Sequence, residues 1–183
     1  MPPGRLSRSA PNLTSRLISG FDVGWRAAHI VIMIGIVLAL IPTYAYLVFR
    51  KTARDESGVV TGNGENITGR WLEKASEDLG APIPSQIADK LRGKEFSSFD
   101  AFRQEFWSEV GKDSRLLSQF SRANQRLLKR GRAPFSTPGE HIGGRQRYEI
   151  HHIEEIKHGG EVYNVDNLSV MTPKRHIDIH KRG

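Results

Sequence analysis

The chain predicts an α+β fold: a helical scaffold carrying a histidine-rich, C-terminal strand–strand–helix unit, with a single transmembrane helix ahead of it. Three observations predict this. Five of the seven histidines fall between residues 151 and 180, too close a gathering for random scatter. Residues 71–128 place aromatic and aliphatic side chains at helical spacing. Residues 27–49 hold no Asp, Glu, Lys or Arg.

Residues 1–26 are rich in Pro, Ser, Arg and Gly without a sustained apolar period, and they read as a mobile basic tail. Residues 27–49 form the expected membrane helix, since at about 1.5 Å per residue they can cross about 30 Å of hydrocarbon. Trp25, Tyr44 and Tyr46 stand near the ends of this segment, and Arg26, Arg50 and Lys51 fence it. Pro42 can kink such a helix without breaking it. Arginines lie on both sides, Arg5, Arg8 and Arg16 against Arg54 and Arg70, so charge does not set its orientation. Residues 50–69, with Gly58, Gly62, Gly64 and Gly69, have the composition of a flexible linker. The domain that follows is expected to occupy residues 70–183.

Its scaffold reads as four helices. Trp71, Leu72 and Ala75 open a short one that Gly80 closes, and Pro84, Ile87, Ala88 and Leu91 mark a second ending near Gly93. Ser98 can cap a third, whose Phe99, Phe102, Phe106, Trp107 and Val110 share one face. A fourth runs through Leu116, Leu117, Phe120, Leu127 and Leu128 and stops at Gly131. An aromatic stripe at this spacing is the signature of a core and not of a base-stacking platform. Arg122, Arg126, Lys129, Arg130 and Arg132 make a basic run that suits either a solvated helix face or phosphate contact.

The C-terminal unit begins with an alternating strand over 145–153, continues through a loop at Gly159-Gly160 to an apolar run over 167–172, and ends in a helix. Thr172 caps that helix and Pro173 fits its first position, where the missing N–H costs nothing. His176 and His180 are four residues apart on one helical face, so their imidazoles can converge on one point. A third ligand from the strand, His151 or His152, would complete a three-ligand site with an open position. Successive strand side chains point to opposite faces, so one of the pair can bind metal while the other stays free to take a proton.

Composition narrows the chemistry. The 183 residues carry a net charge of +7 with a pI near 9.9, which favours an anionic partner. There is no cysteine, so disulfides and thiolate metal sites are excluded and any metal must be held by histidine and carboxylate. The residue after His176 is Ile177, where an HExxH protease needs Glu. His29, His141 and His158 read as structural, Glu154 and Glu155 as solvent-facing with metal ligation as the alternative, and Arg147 as a surface strand residue.

The run Tyr148-Glu149-Ile150-His151-His152, the loop Gly159-Gly160-Glu161-Val162-Tyr163, Asp166-Asn167, and Thr172-Pro173-Lys174-Arg175-His176-Ile177-Asp178-Ile179-His180 closely resemble the HNH nuclease domain of DNase-type colicins and S-type pyocins. The likeness extends back through Lys94-Glu95-Phe96, Ile87-Ala88-Asp89-Lys90-Leu91-Arg92 and Ala81-Pro82-Ile83-Pro84 to Trp71-Leu72. The resemblance implies a ββα-metal (HNH, His-Me finger) motif and a metal-dependent, largely sequence-nonspecific DNA endonuclease acting as a bacteriocin toxin that kills related bacteria.

The same resemblance implies roles. His151, His176 and His180 hold one divalent metal ion, zinc being the ion expected in the site, with nickel, cobalt, magnesium or manganese as ions for activity. His152 is the general base, Arg145 clamps the phosphate, Glu149 orients that arginine or a histidine, and Asn167 pins the loop so that His152 points correctly. The segment through Arg132-Ala133-Pro134-Phe135 resembles the exosite for a cognate immunity protein, with Arg132 and Phe135 as contacts. The expected partners are DNA, that inhibitor and, through residues 27–49, a membrane; no homo-oligomer is indicated. The expected location is single-pass anchorage in a bacterium, or release as a toxin acting on DNA in the target-cell cytoplasm. The family's lysine-rich lead-in is missing from 50–69, so no DNA contact is assigned there, Arg54 included. The competing reading is a membrane-anchored, zinc-binding DNA- or protein-interaction module without catalysis. His152 and Arg145 count against it, since neither is needed to hold a metal.

Overall fold

A computed structural model of the chain describes residues 52–181. The tail expected over 1–26 and the span expected over 27–49 lie outside the described residues, among which no helix is long and apolar enough to cross a membrane. In chain order the elements are strands β1 (Gly58–Val59) and β2 (Ala81–Pro82), helix α1 (Ser85–Leu91), strand β3 (Glu95–Phe96), and helices α2 (Phe99–Lys112), α3 (Ser114–Leu117) and α4 (Arg122–Leu128). Strands β4 (Glu149–His152) and β5 (Leu168–Met171) and helix α5 (Pro173–His180) complete the mixed α+β fold.

The helices form where caps and apolar spacing agree. The Ser98 hydroxyl accepts the Ala101 N–H at 3.3 Å and starts α2, which buries Phe99, Phe102, Phe106, Trp107 and Val110. Trp71, in a 3₁₀ turn over Trp71–Ser76, packs 6.1 Å from both the Phe106 and Trp107 rings, and its Nε1–H donates to the Pro82 carbonyl at 2.8 Å. The aromatic stripe is therefore core. Gly111 lets α2 and α4 approach closely, because a Cβ there would stand 2.7 Å from the Leu128 carbonyl.

The fourth predicted helix is broken into α3 and α4. Residues 119–121 have other work: the Gln119 side chain accepts the Trp71 N–H, Phe120 packs edge-on against the Trp71 ring, and Ser121 caps α4 by accepting from Asn124. Helical spacing of leucines continues across the break, so periodicity alone does not show it.

Residues 52–69 are also unlike the expected linker. Strand β1 pairs with β3, and Val60, 1% exposed, exchanges backbone hydrogen bonds with Lys94 and Gly93. Thr61 bonds to Tyr163 and Val165 in the same manner. The Asp166 carboxylate accepts the N–H groups of Asn63 (3.0 Å) and Gly64 (2.7 Å), and Arg92 Nε donates to the Gly62 carbonyl at 2.8 Å. Two of the glycines here have fixed roles: Gly62 turns the chain at φ +85°, and Gly58 lies against the Tyr163 ring, where a Cβ would collide.

The three-stranded antiparallel sheet has the order β2-β5-β4, with β5 central and wholly buried. Its register sets His151 opposite Ser169 and His152 opposite Leu168. The predicted strand over 145–153 is shorter than expected, since residues 146 and 148 turn their backbone to Ser136 and Pro134 before β4 begins. Helix α5 starts as expected. Thr172 Oγ1 accepts the Arg175 N–H at 3.3 Å and donates to the Glu140 carboxylate at 2.7 Å, and Pro173 occupies the first turn.

Candidate active site

Strand β4 ends in two consecutive histidines, both buried, and strand alternation turns them apart. His151 faces α5, with its ring centroid 5.0 Å from that of His176 and 5.3 Å from that of His180. Ligand nitrogens of these three residues all lie within 4.8 Å of one another, and the Nε2 atoms of His176 and His180 are 3.2 Å apart. Two nitrogens about 2.0–2.1 Å from one tetrahedral ion stand about 3.3 Å apart, so the donor set fits a divalent metal.

Charge around the set favours that use. Burial, then the neighbouring His176, His180 and His152, push the His151 imidazole down to about 4, so it is neutral and able to ligate at neutral pH. Burial alone would raise the Glu149 carboxyl, but hydrogen bonds from His176 and then Arg145 outweigh it and hold Glu149 below the usual carboxylate range. Glu149 accepts from His176 Nδ1 and from both Nε (2.7 Å) and an Nη of Arg145. It therefore orients the arginine and a ligand histidine together, and His176 is left to present Nε2.

A depressed His151 has a stability consequence. Between its usual 6.5 and about 4 the unfolded state binds more protons than the folded one, so this contribution is present above pH 6.5 and is lost as pH falls through that window. In the metal-free chain the loss is expected to reach about 3 kcal/mol. Urea titrations at several pH values should show it, with a shallower acid dependence in His151→Asn.

His152 occupies the opposite side of β4. Its Nε2–H donates to the Val162 carbonyl at 3.1 Å, which leaves the Nδ1 lone pair available. Phe99 packs against its ring at 4.8 Å between centroids. Burial lowers its affinity for a proton, the Val162 bond partly offsets this, and the Arg54 guanidinium lowers it further. Asn167 closes the loop between the strands: its Oδ1 accepts the Glu154 N–H at 2.8 Å, and its Nδ2 donates to the carbonyls of Glu154 and Glu161, each at 3.1 Å.

The histidines open on a cleft of about 370 Å³ whose walls include Arg54, Glu155 and Lys157. Sequence assigns no part to Arg54 or Lys157 and reads Glu155 as solvent-facing. Arg54, placed in a linker, instead lies 4.6 Å over the Phe99 ring, on the cleft wall beside His152. Its position depends on β1 pairing with β3, a contact no local signal shows. Glu155, expected to face solvent, approaches His180 Nδ1 to 3.4 Å and also pairs with Lys157.

The remaining candidates lie away from the cleft. Arg132 and Phe135 are exposed, and Arg147 is less idle than expected, since it stacks 4.7 Å over the Phe135 ring and donates to the Ala133 carbonyl. Phe135 borders a separate cleft of about 480 Å³ that contains none of the four site histidines. His141 bonds to the Ser136 carbonyl, a structural role as expected, and His29 lies outside the described residues.

Comparison with known proteins identifies the family. Residues 58–182 match the family model described as Colicin/Pyocin-S2, DNase domain. Colicin-E2 of Escherichia coli is 50% identical over 124 residues, which are 68% of this chain and 21% of the colicin. Pyocin-S2 of Pseudomonas aeruginosa is 49% identical over 138 residues, 75% of this chain and 20% of the pyocin. The chain thus spans about a fifth of the length of these relatives. The crystal structure of the pyocin AP41 DNase–immunity complex superposes with a TM-score of 0.67 at 52% identity, covering 70% of this chain and 95% of that one. The match begins at residue 58, which agrees with the packing of 52–69 against the domain. By sequence and fold the chain belongs to the colicin/pyocin DNase-domain family of nucleases.

Proposed function

We propose that this chain is a divalent-metal-dependent DNA endonuclease that hydrolyses phosphodiester bonds with little sequence preference and acts as a bacteriocin-type toxin. One observation carries the reading. Three imidazoles converge on a single point while the adjacent His152 faces the other way with Nδ1 free, so metal ligation and proton transfer are assigned to different residues.

A divalent ion held by His151, His176 and His180 would supply Lewis-acid stabilisation of charge developing on the phosphate and the leaving oxygen. Zinc suits three imidazoles best, with nickel and cobalt close behind, while magnesium and manganese prefer oxygen ligands. His152 Nδ1 takes the proton of the attacking water, and the Val162 carbonyl fixes the tautomer that allows it. Arg145 is gripped by Glu149 through Nε and one Nη, which leaves its other Nη to bind a non-bridging phosphate oxygen. Arg54 and Lys157 provide cations on the cleft wall. Asn167 keeps the loop folded so that the Val162 carbonyl stays opposite His152.

The net charge of +7 fits a polyanionic substrate. The surface at Arg132 and Phe135 is assigned to a cognate immunity protein, since a pyocin DNase of the same fold is known in complex with one. Residues 27–49 are assigned to a single membrane span, with the domain either anchored in a bacterium or released to act on DNA in the cytoplasm of a target cell. Supercoiled plasmid incubated with the chelator-treated full chain tests the nuclease reading. Nicking is expected only after a divalent metal is restored. A folded, metal-loaded chain that never cuts would leave a binding module in its place.

A further inference from the structure

The outer nitrogens of His176 and His180 each face a different carboxylate. His176 Nδ1 meets Glu149 from β4, and His180 Nδ1 lies 3.4 Å from Glu155 Oε1, in the loop that follows β4. Their Nε2 atoms then face each other at 3.2 Å, the arrangement two ligands of one ion require. Glu155 is itself fixed. Its other oxygen pairs with Lys157, and its backbone carbonyl accepts the N–H groups of His158 (2.8 Å) and Gly160 (3.2 Å). Asn167 ties down the neighbouring Glu154 on both its N–H and its carbonyl. The loop is thus built to carry a carboxylate to the last histidine of α5.

We propose that Glu155 is the positioning carboxylate of His180, the counterpart of Glu149 at His176. An imidazole that donates Nδ1–H to a carboxylate is locked in the tautomer whose Nε2 lone pair points away, and its basicity as a ligand rises. His180 needs this more than the other two ligands. Its side chain is 46% exposed, near the end of α5, whereas that of His176 is 17% exposed. The competing account is an ordinary surface pair between Glu155 and Lys157, which would contribute little to anything. The inference rests on the metal reading above.

The test uses the full chain and its Glu155→Ala, Glu155→Gln and Lys157→Ala variants. Zinc affinity is measured by competition with a chromophoric chelator. The His180 tautomer is read from ¹⁵N shifts of histidine-labelled, metal-free protein. Glu155→Ala is expected to weaken zinc binding by about 10–100-fold and to mix the His180 tautomers while leaving His176 unchanged. Glu155→Gln keeps an acceptor oxygen and should recover most of the affinity, and Lys157→Ala should stay within about twofold of the parent, since an exposed pair contributes little. A Glu155→Ala chain that binds zinc within about twofold of the parent, with an unchanged His180 tautomer, would overturn the proposal. A parent chain that takes up no zinc would overturn the metal reading instead. In that event the metal-free tautomer still decides whether Glu155 holds His180.

Discussion

Replacing His152 by alanine is expected to lower the rate of plasmid cleavage by about 10²–10⁴-fold, the range for loss of a positioned general base. Zinc affinity should change little, because the His152 side chain leaves β4 on the face opposite the three converging histidines. The separation of the two effects is the informative part. His176→Ala, by contrast, removes a ligand and should lower affinity and cleavage together. The acid limb of the wild-type rate profile should lie below pH 6.5, since burial and Arg54 both disfavour the protonated imidazole and the base remains competent at lower pH. Cleavage by His152→Ala at a rate near the parent's, with metal bound, would show that the proton goes elsewhere.

A chain beginning at Thr61 is expected to be less stable than one beginning at Thr52 by about 4 kcal/mol. The shorter chain loses the burial of Val60, about 1.5–3 kcal/mol for a fully buried valine. It also loses the Val60 hydrogen bonds to Lys94 and Gly93 and the Tyr163 hydroxyl bond to the Glu56 carbonyl, each contributing about 0.5–1.5 kcal/mol. Activity should fall further than stability alone explains, because Arg54 goes with the deleted residues. Full-length Arg54→Ala isolates that part: it should fold like the parent and cut more slowly. Equal denaturation midpoints for the two truncations would mean that β1 and Val60 add nothing to the domain.

What the sequence made legible is what local chemistry determines. Ser98 and Thr172-Pro173 start α2 and α5 because cap and turn chemistry act over three or four residues. The histidine cluster was readable because a four-residue helical step and strand alternation fix side-chain direction without knowledge of the rest of the fold. Which of His151 and His152 faces α5 was not so fixed, since alternation separates the two without naming the inner one. The family resemblance chose His151, and His151 is the one that lies with His176 and His180.

The misses share a cause in long-range contacts. Residues 52–69 look like a linker by composition, yet Asp166, more than a hundred positions away, takes the N–H groups of Asn63 and Gly64. The break between α3 and α4 exists for Trp71, which lies some fifty residues earlier and takes Gln119 and Phe120 out of the helix. Glu155 looks solvent-facing until the loop after β4 folds back on Asn167 and brings it to His180.

The most direct test of the account is X-ray absorption at the zinc K-edge of the full chain loaded with one equivalent of metal. Three imidazole nitrogens at about 2.0–2.1 Å and one water oxygen in the open position are the expected shell. The His152→Ala spectrum should match the parent's, and the His180→Ala spectrum should lose one imidazole. An identical shell in His180→Ala, or one altered by His152→Ala, would contradict the division between metal-holding and proton-taking histidines on which the proposed function stands.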